Sequence, residues 1–414
     1  MASPVDKVAL RARWVFPVDR PPIDGGIVTV AGGRIAAVGE NQSSSPLRDL
    51  GDVALLPGFV NAHTHLEFSL LDRPLGRPGM PFPAWIEAVV EYRRQRDKPL
   101  MVETDGLARF GRRWAEAGLK QLRGAATVAV GDIATMDWPR ECAPAGGLSL
   151  TAFAEVLGLD PARQAPLLAR AKHYVEERLE NGGSPRPGLS PHAPYTVGPD
   201  LLRKICELSA AERVPVAMHL AESREELELL RTHQGPLVDV IERLGAWHPE
   251  SLLPGLATID YLQLLATAHR ALVIHGNYLS RDEFEFVAAH RDRMSVVYCP
   301  RTHAYFGHDP YPLAGMLTAG VRVAAGTDSL ASNPDLSILS ELRHIARHHA
   351  NVSRDAILRM GTLSGAEALG YGEKLGSITP GKRAWLITVP LEHTSGEPHE
   401  LLFASNRAAE MHHA

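Results

Sequence analysis

The chain has 414 residues, 45% of them apolar and 22% charged, with a formal net charge of −5. These ordinary globular values exclude disordered and collagen-like chains, and they give no electrostatic case for nucleic acid or an anionic membrane surface. The three cysteines, Cys142, Cys206 and Cys299, form neither a disulfide framework nor a zinc-knuckle spacing, which fits a reducing cytoplasm.

The N-terminus, Met1-Ala2-Ser3-Pro4-Val5-Asp6-Lys7, has no basic start leading into a long apolar run, so no secretory signal is expected. No stretch approaches the roughly 18 uninterrupted apolar residues of a transmembrane helix. From Val8 to Val38 short strands alternate with turns at Asp24-Gly25-Gly26 and Gly32-Gly33. Near the other end, the turn Ser377 to Lys382 precedes the apolar run Ala384 to Val389. Each terminal piece is too short to be a stable sheet alone. They are therefore expected to pair into one small β-sandwich domain, residues 1–57 with 366–414, around a catalytic domain of residues 58–365.

Between them lie eight apolar, β-rich runs: Ala54–Ala62, Ala125–Ile133, Leu148–Gly158, Leu189–Tyr195, Val214–His219, Ala271–His275, Ser295–Cys299 and Val321–Gly326. Helical patterns separate most of them: Pro83–Leu119 with interruptions, Pro161–Glu180, Pro199–Glu212, Arg224–Leu244, Asp282–His290 and Asp335–His349. Strands alternating with helices imply parallel pairing, and eight such units predict a closed (β/α)8 barrel of TIM type, with an open doubly wound sheet as the alternative.

The chemistry gathers at the ends of these runs. The first continues as Asn61-Ala62-His63-Thr64-His65, and on a strand residues i and i+2 share a face, so both imidazoles can converge on one ion. The fifth run ends in His219, the sixth in His275, and the eighth leads to Asp328. In a barrel the C-terminal strand ends form the active-site face, so these residues surround one mouth. Glu222 follows His219 by three residues, where a carboxylate can reach a substrate and move a proton without binding the ion.

This constellation resembles the amidohydrolase superfamily, in the branch of metal-dependent deaminases and chlorohydrolases. The shared segments are Pro57-Gly58-Phe59-Val60-Asn61-Ala62-His63-Thr64-His65, Ser190-Pro191-His192-Ala193-Pro194-Tyr195, His219-Leu220-Ala221-Glu222, Gly326-Thr327-Asp328-Ser329 and Gly376 to Lys382. The resemblance implies that His63, His65, His219 and Asp328 hold one divalent metal, Zn first and Fe(II) second. Binuclear relatives use a carboxylated lysine on the fourth strand, and Leu189 to Val197 contains no lysine. It further implies Glu222, His275 and Asp328 as catalytic groups in a hydrolytic deamination that attacks an aminated ring and releases ammonia.

For the substrate, His192 and Tyr195 match positions that hold the ribose or distal part in relatives acting on adenosine-like nucleosides. Glu67 after the histidine pair, followed by Trp85-Ile86, resembles aminodeoxyfutalosine deaminases of menaquinone biosynthesis. Ser329 and His303 complete the expected substrate wall, although Cys299-Pro300-Arg301-Thr302-His303 departs from the family's usual seventh strand. The expected partner is a small molecule, with no nucleic acid and no membrane, and a homodimer is compatible with this reading. The alternatives are a hydrolase that releases chloride or cleaves an amide, and a non-catalytic homologue that has lost its metal.

Overall fold

The computed structural model describes residues 7–40, 46–97, 106–134, 138, 142, 147–182, 184–392 and 395–412. Ser43–Ser45, the middle of the Pro83–Leu119 pattern and His413 lie outside the described residues.

Eight strands form one parallel sheet: β1 (Phe59–Thr64), β2 (Thr127–Ala134), β3 (Ser149–Val156), β4 (Arg186–Pro191), β5 (Val216–Leu220), β6 (Ala271–His275), β7 (Met294–Tyr298) and β8 (Val323–Ala325). Neighbours in space are neighbours in sequence throughout. The two edges meet, which rules out the open sheet. Thr64 pairs with Asp328 in a parallel bridge, and the His63 carbonyl accepts the backbone N–H groups of Thr327 and Asp328, both at 3.1 Å. Side chains reinforce this seam. Asn61 donates to Thr327 Oγ1 at 2.8 Å and accepts from Thr327 N at 3.2 Å, while the Thr64 hydroxyl donates to the Asp328 carbonyl at 2.7 Å.

The barrel is a packed core. Val60, Ala129, Phe153, Leu272 and Val297 fill its interior. Gly188 on β4 leaves room for the Phe153 ring, since a Cβ there would stand 2.5 Å from its Cδ1. Flanking helices bury their apolar faces outside, and several begin at side-chain caps, as Asp160 does for Pro161–Glu180 and Ser223 for Arg224–Thr232.

Three sequence expectations are corrected. The run Ala54–Ala62 is two strands, one in each sheet system, broken at Gly58, where a Cβ would stand 2.1 Å from Val128 Cγ1. The helix expected over Arg224–Leu244 is two, Arg224–Thr232 and Pro236–Arg243. His233 (φ 55°) and Gly235 (φ 105°) turn the chain left-handed, and Pro236 has no N–H to continue the ladder. Short helices Thr258–Leu265, Pro300–Phe306 and Leu313–Thr318 carry no long periodic pattern and were not expected.

Both termini build the smaller sheets. Val53–Pro57 pairs antiparallel with Leu386–Pro390, which places the two ends of the chain side by side. That five-stranded sheet and the four-stranded one containing Lys7–Arg11 share a core of Leu10, Val28, Ile35, Leu55 and Leu386, giving a small β-sandwich. Among the described residues, no helix is long and apolar enough to cross a membrane.

Candidate active site

His63 lies near the end of β1 and His65 just past it. His219 is on β5, His275 ends β6, and Asp328 follows β8. Two of these strand ends are strained. His275 (φ 67°) and Asp328 (φ 55°) hold left-handed backbone, which non-glycine residues adopt at a cost. The seam hydrogen bonds fix Asp328 in that conformation, and the Tyr311 hydroxyl donates to the His275 carbonyl at 2.9 Å.

The side chains converge. Ligand atoms of His63, His219 and His275 lie within 4.8 Å of one another, as do those of His63, His65 and Asp328. His65 Nε2 and His219 Nε2 face each other at 3.3 Å. His219 Nδ1 stands 3.0 Å from the His192 carbonyl, which can only accept, so Nδ1 carries the proton and Nε2 turns its lone pair inward. Asp328 Oδ1 lies 3.5 Å from His63 Nε2 and 3.6 Å from His65 Nε2, and Ser332 donates to Oδ2 at 3.0 Å.

Electrostatics prepares this set for a cation. Burial, then the neighbouring His63, pushes His65 and His219 well below the ordinary histidine range, and burial does the same to His275. These imidazoles are neutral donors at neutral pH. Burial opposes ionisation of Asp328, but its contact with the His63 ring and the facing rings of His275 and His219 outweigh it and hold its carboxyl below the usual range. Both ring nitrogens of His63 and Nδ1 of His65 are buried with no hydrogen-bond partner among the described residues. Orphaned buried nitrogens facing a carboxylate are unstable as an internal arrangement and well matched to a divalent metal.

Glu222 stands beside this cluster. It precedes the helix cap Ser223 and is 5% exposed, so it is not a solvated first-turn glutamate. Glu226 accepts the backbone N–H groups of Ala221 at 2.7 Å and Glu222 at 3.0 Å, and Asn277 donates to the Glu222 carbonyl at 2.9 Å. Thus held, Glu222 Oε1 lies 3.4 Å from His275 Nε2. Burial, then the charges of Asp328 and Glu226, raises its pKa well above the ordinary glutamate value.

His65, His219, Glu222, His275 and Asp328 line a cavity of about 320 Å³. Its walls are largely apolar: Phe82, Trp85, Ile86 and Val89 on one helix, with Leu157, Ile241 and Leu244 elsewhere on the lining. Residues 54–411 match the amidohydrolase family. The chain belongs to the amidohydrolase family. It is 29% identical over 408 residues to a 5-methylthioadenosine/S-adenosylhomocysteine deaminase of Moorella thermoacetica, covering 95% of this chain and 87% of that protein. It is 31% identical over 367 residues to an aminodeoxyfutalosine deaminase of Deinococcus radiodurans, covering 84% and 81%. Among solved structures, an adenosine deaminase from Xanthomonas campestris with bound zinc is 26% identical, with a TM-score of 0.72 over 97% of this chain and 89% of that one.

Of the substrate positions expected in this amidohydrolase, Trp85, His192, Tyr195 and Ser329 line the cavity. Trp85 is anchored by its indole N–H, which donates to the Ala331 carbonyl at 3.2 Å. Glu67 and His303 are not in the lining. Glu67 is buried in a short 3-10 turn and bound to Arg93 and, at 2.8 Å, to Arg96; burial opposes its ionisation, but the two guanidiniums outweigh that and keep it charged. His303 donates through Nε2 to the Asp309 carbonyl at 2.9 Å and packs on Tyr298 and Tyr311, and Arg301 beside it is tied to Glu341 and Asp335. Neither changes the polarity of the substrate wall. Sequence reasoning missed Arg93 and Glu155, which do line the cavity. The available signal was Glu155 itself, a lone carboxylate within the apolar run Leu148–Gly158.

Proposed function

We propose that this amidohydrolase is a metal-dependent, cytoplasmic deaminase of an aminated purine nucleoside-like small molecule, with catalysis carried by residues 58–365. The observation that carries the reading is Glu222, buried and 3.4 Å from His275, facing the same cavity as the histidine–carboxylate cluster. His63, His65, His219 and Asp328 would hold one divalent ion, zinc before Fe(II). When bound, such an ion supplies Lewis acidity and brings the pKa of water from about 15.7 towards 7.

This chain's own groups do the rest. Asp328 accepts the proton of the attacking water, and His275 orients that water. Glu222 carries a proton in its buried, charge-crowded site and gives it to a ring nitrogen. Water adds to the carbon bearing the amine, Asp328 passes the water's proton to that amine, the C–N bond breaks and ammonia leaves, and the added hydroxyl returns its proton to Glu222 as the ring carbonyl forms. Trp85, His192, Tyr195 and Ser329 hold the remainder of the substrate. A cavity of about 320 Å³ lies near the small end of the roughly 300–1,000 Å³ typical of ligand sites, suited to one nucleoside-sized molecule.

Aminodeoxyfutalosine is the first candidate substrate, supported by the Deinococcus radiodurans relative and by Trp85 in the cavity wall. Methylthioadenosine, adenosylhomocysteine and adenosine come next, supported by the Moorella thermoacetica relative. The test is an ammonia-release screen of these four nucleosides beside chlorinated rings and amides. Ammonia from at least one nucleoside is expected. Chloride or carboxylate release, with no ammonia from any aminated ring, would replace the deaminase reading with the hydrolase one.

A further inference from the structure

Phe153, Glu155 and Leu157 alternate along β3 and just past it, so their side chains leave the same face. Phe153 plugs the barrel against Gly131 and Gly188. Leu157, 36% exposed, lines the outer cavity. Glu155 therefore stands between plug and rim. It is 4% exposed, it lines the cavity, and its Oε2 has no hydrogen-bond partner among the described residues. Arg93 Nη2 is 3.7 Å from that oxygen, beyond hydrogen-bond reach, and is bound to Glu67. A buried acceptor with no donor is costly, and one aimed into a ligand cavity invites a donor from the ligand.

The place of Glu155 selects which part of a ligand that donor belongs to. In the strand order β3 is separated from β5, β6 and β8, which carry His219, His275 and Asp328. The neighbour of Glu155 is Arg93, at 3.7 Å, whereas that of Glu222 is His275, at 3.4 Å. Tyr195 lines the same cavity as both carboxylates. With the aminated ring at Glu222, the sugar is the portion that reaches towards Glu155. A sugar hydroxyl offers an O–H donor, the complement of Glu155 Oε2, which lacks one.

We propose that Glu155 is a specificity-determining residue that accepts hydrogen bonds from the sugar hydroxyls of the substrate. This rests on the nucleoside reading above. The side chain that recognises the sugar thus comes from the third strand, outside the metal-ligating strand ends.

The experiment compares wild type with Glu155→Gln, which keeps the shape and loses the charge and one acceptor. The substrates are an adenine nucleoside that the enzyme deaminates and its 2′,3′-dideoxy form. A site built to bind a hydroxyl rejects an analogue lacking it, so wild-type kcat/KM should favour the hydroxylated nucleoside by about 100-fold or more. In Glu155→Gln that ratio should shrink by about tenfold, through loss on the hydroxylated substrate alone. Calorimetric Kd values for inosine and 2′,3′-dideoxyinosine, which cannot release ammonia, should show the same loss of discrimination. No ammonia from any adenine nucleoside with wild type would remove the nucleoside reading and this proposal with it. Activity with an unchanged ratio in the variant overturns the role of Glu155 and leaves the deaminase standing. Wild type that treats the two nucleosides alike overturns it without any variant, which covers a substitution that fails to fold.

Discussion

Glu222 and Glu155 are both buried carboxyl groups on one cavity, and their surroundings set them apart. Glu222 is held by Glu226 and Asn277 beside His275, as the proposed proton transfer requires. Glu222→Gln keeps the side-chain shape and removes the titrating group. kcat is expected to fall by about 10²-fold or more with metal content unchanged, since positioned acid–base catalysis contributes about 10²–10⁴. Loss of the metal from this variant would make Glu222 a structural or ligating residue, and an effect confined to KM would make it a binding one. Burial, eased by Arg93 and reinforced by Glu67, pushes Glu155 up to about 7 from the ordinary 4.5. The folded state therefore holds this proton more tightly than the unfolded chain does. The resulting stability is full below pH 4.5 and is lost as the pH rises through about 7. Glu226, also raised to about 7 by burial, adds to the same decline. Melting temperatures from pH 4.5 to 8 should fall less steeply in Glu155→Gln than in wild type, and an identical slope would contradict this assignment. The metal-capable residues were legible because each closes or follows an apolar run. Glu67 was misread because sequence proximity to His65 says nothing of Arg93 and Arg96, which arrive from a helix nearly thirty residues on.

The seam between β1 and β8 is where element and site meet. Asn61 exchanges two hydrogen bonds with Thr327, and His63 and Asp328 sit on the same two strand ends. Asn61→Ala removes two buried hydrogen bonds across the seam, a loss of about 0.5–1.5 kcal/mol for each. Denaturant unfolding should show that destabilisation, together with weaker metal retention. Unchanged stability and metal content would mean that the seam is held by its backbone alone. Eight apolar runs showed the strand number, but not where each element starts. The fourth apolar run starts at Leu189, whereas β4 begins at Arg186, since Pro187 argues against a strand interior in the sequence pattern. The split at Gly58 was hidden too, since both halves are uniformly apolar and only packing against Val128 demands the glycine.

At the scale of the whole molecule, the termini close one β-sandwich and the barrel mouth gathers metal-capable side chains from β1, β5, β6 and β8. One ion shared by strands far apart in sequence stabilises only the folded chain. Elemental analysis of protein purified without added metal should find about one divalent equivalent per chain, as a three-histidine, one-carboxylate site holds. A chelator should lower the melting temperature as well as the activity. Two tightly bound ions, or none with activity intact, would contradict the single-ion reading. The alternation of strands and helices made the barrel legible, and the terminal strands made the sandwich legible. The cavity wall was not legible, because Phe82, Leu157, Ile241 and Leu244 read locally as ordinary core residues and become a lining only when the barrel closes.

The most direct measurement of the central claim is kcat/KM, with ammonia as the readout, for a 5′-substituted adenine nucleoside against free adenine. Trp85, His192, Tyr195 and Glu155 offer contacts that a bare base leaves unfilled, so the nucleoside should be preferred by at least about 100-fold, as expected when buried polar groups lose their partners. A preference for free adenine by tenfold or more would contradict the account and place the enzyme with deaminases of free bases.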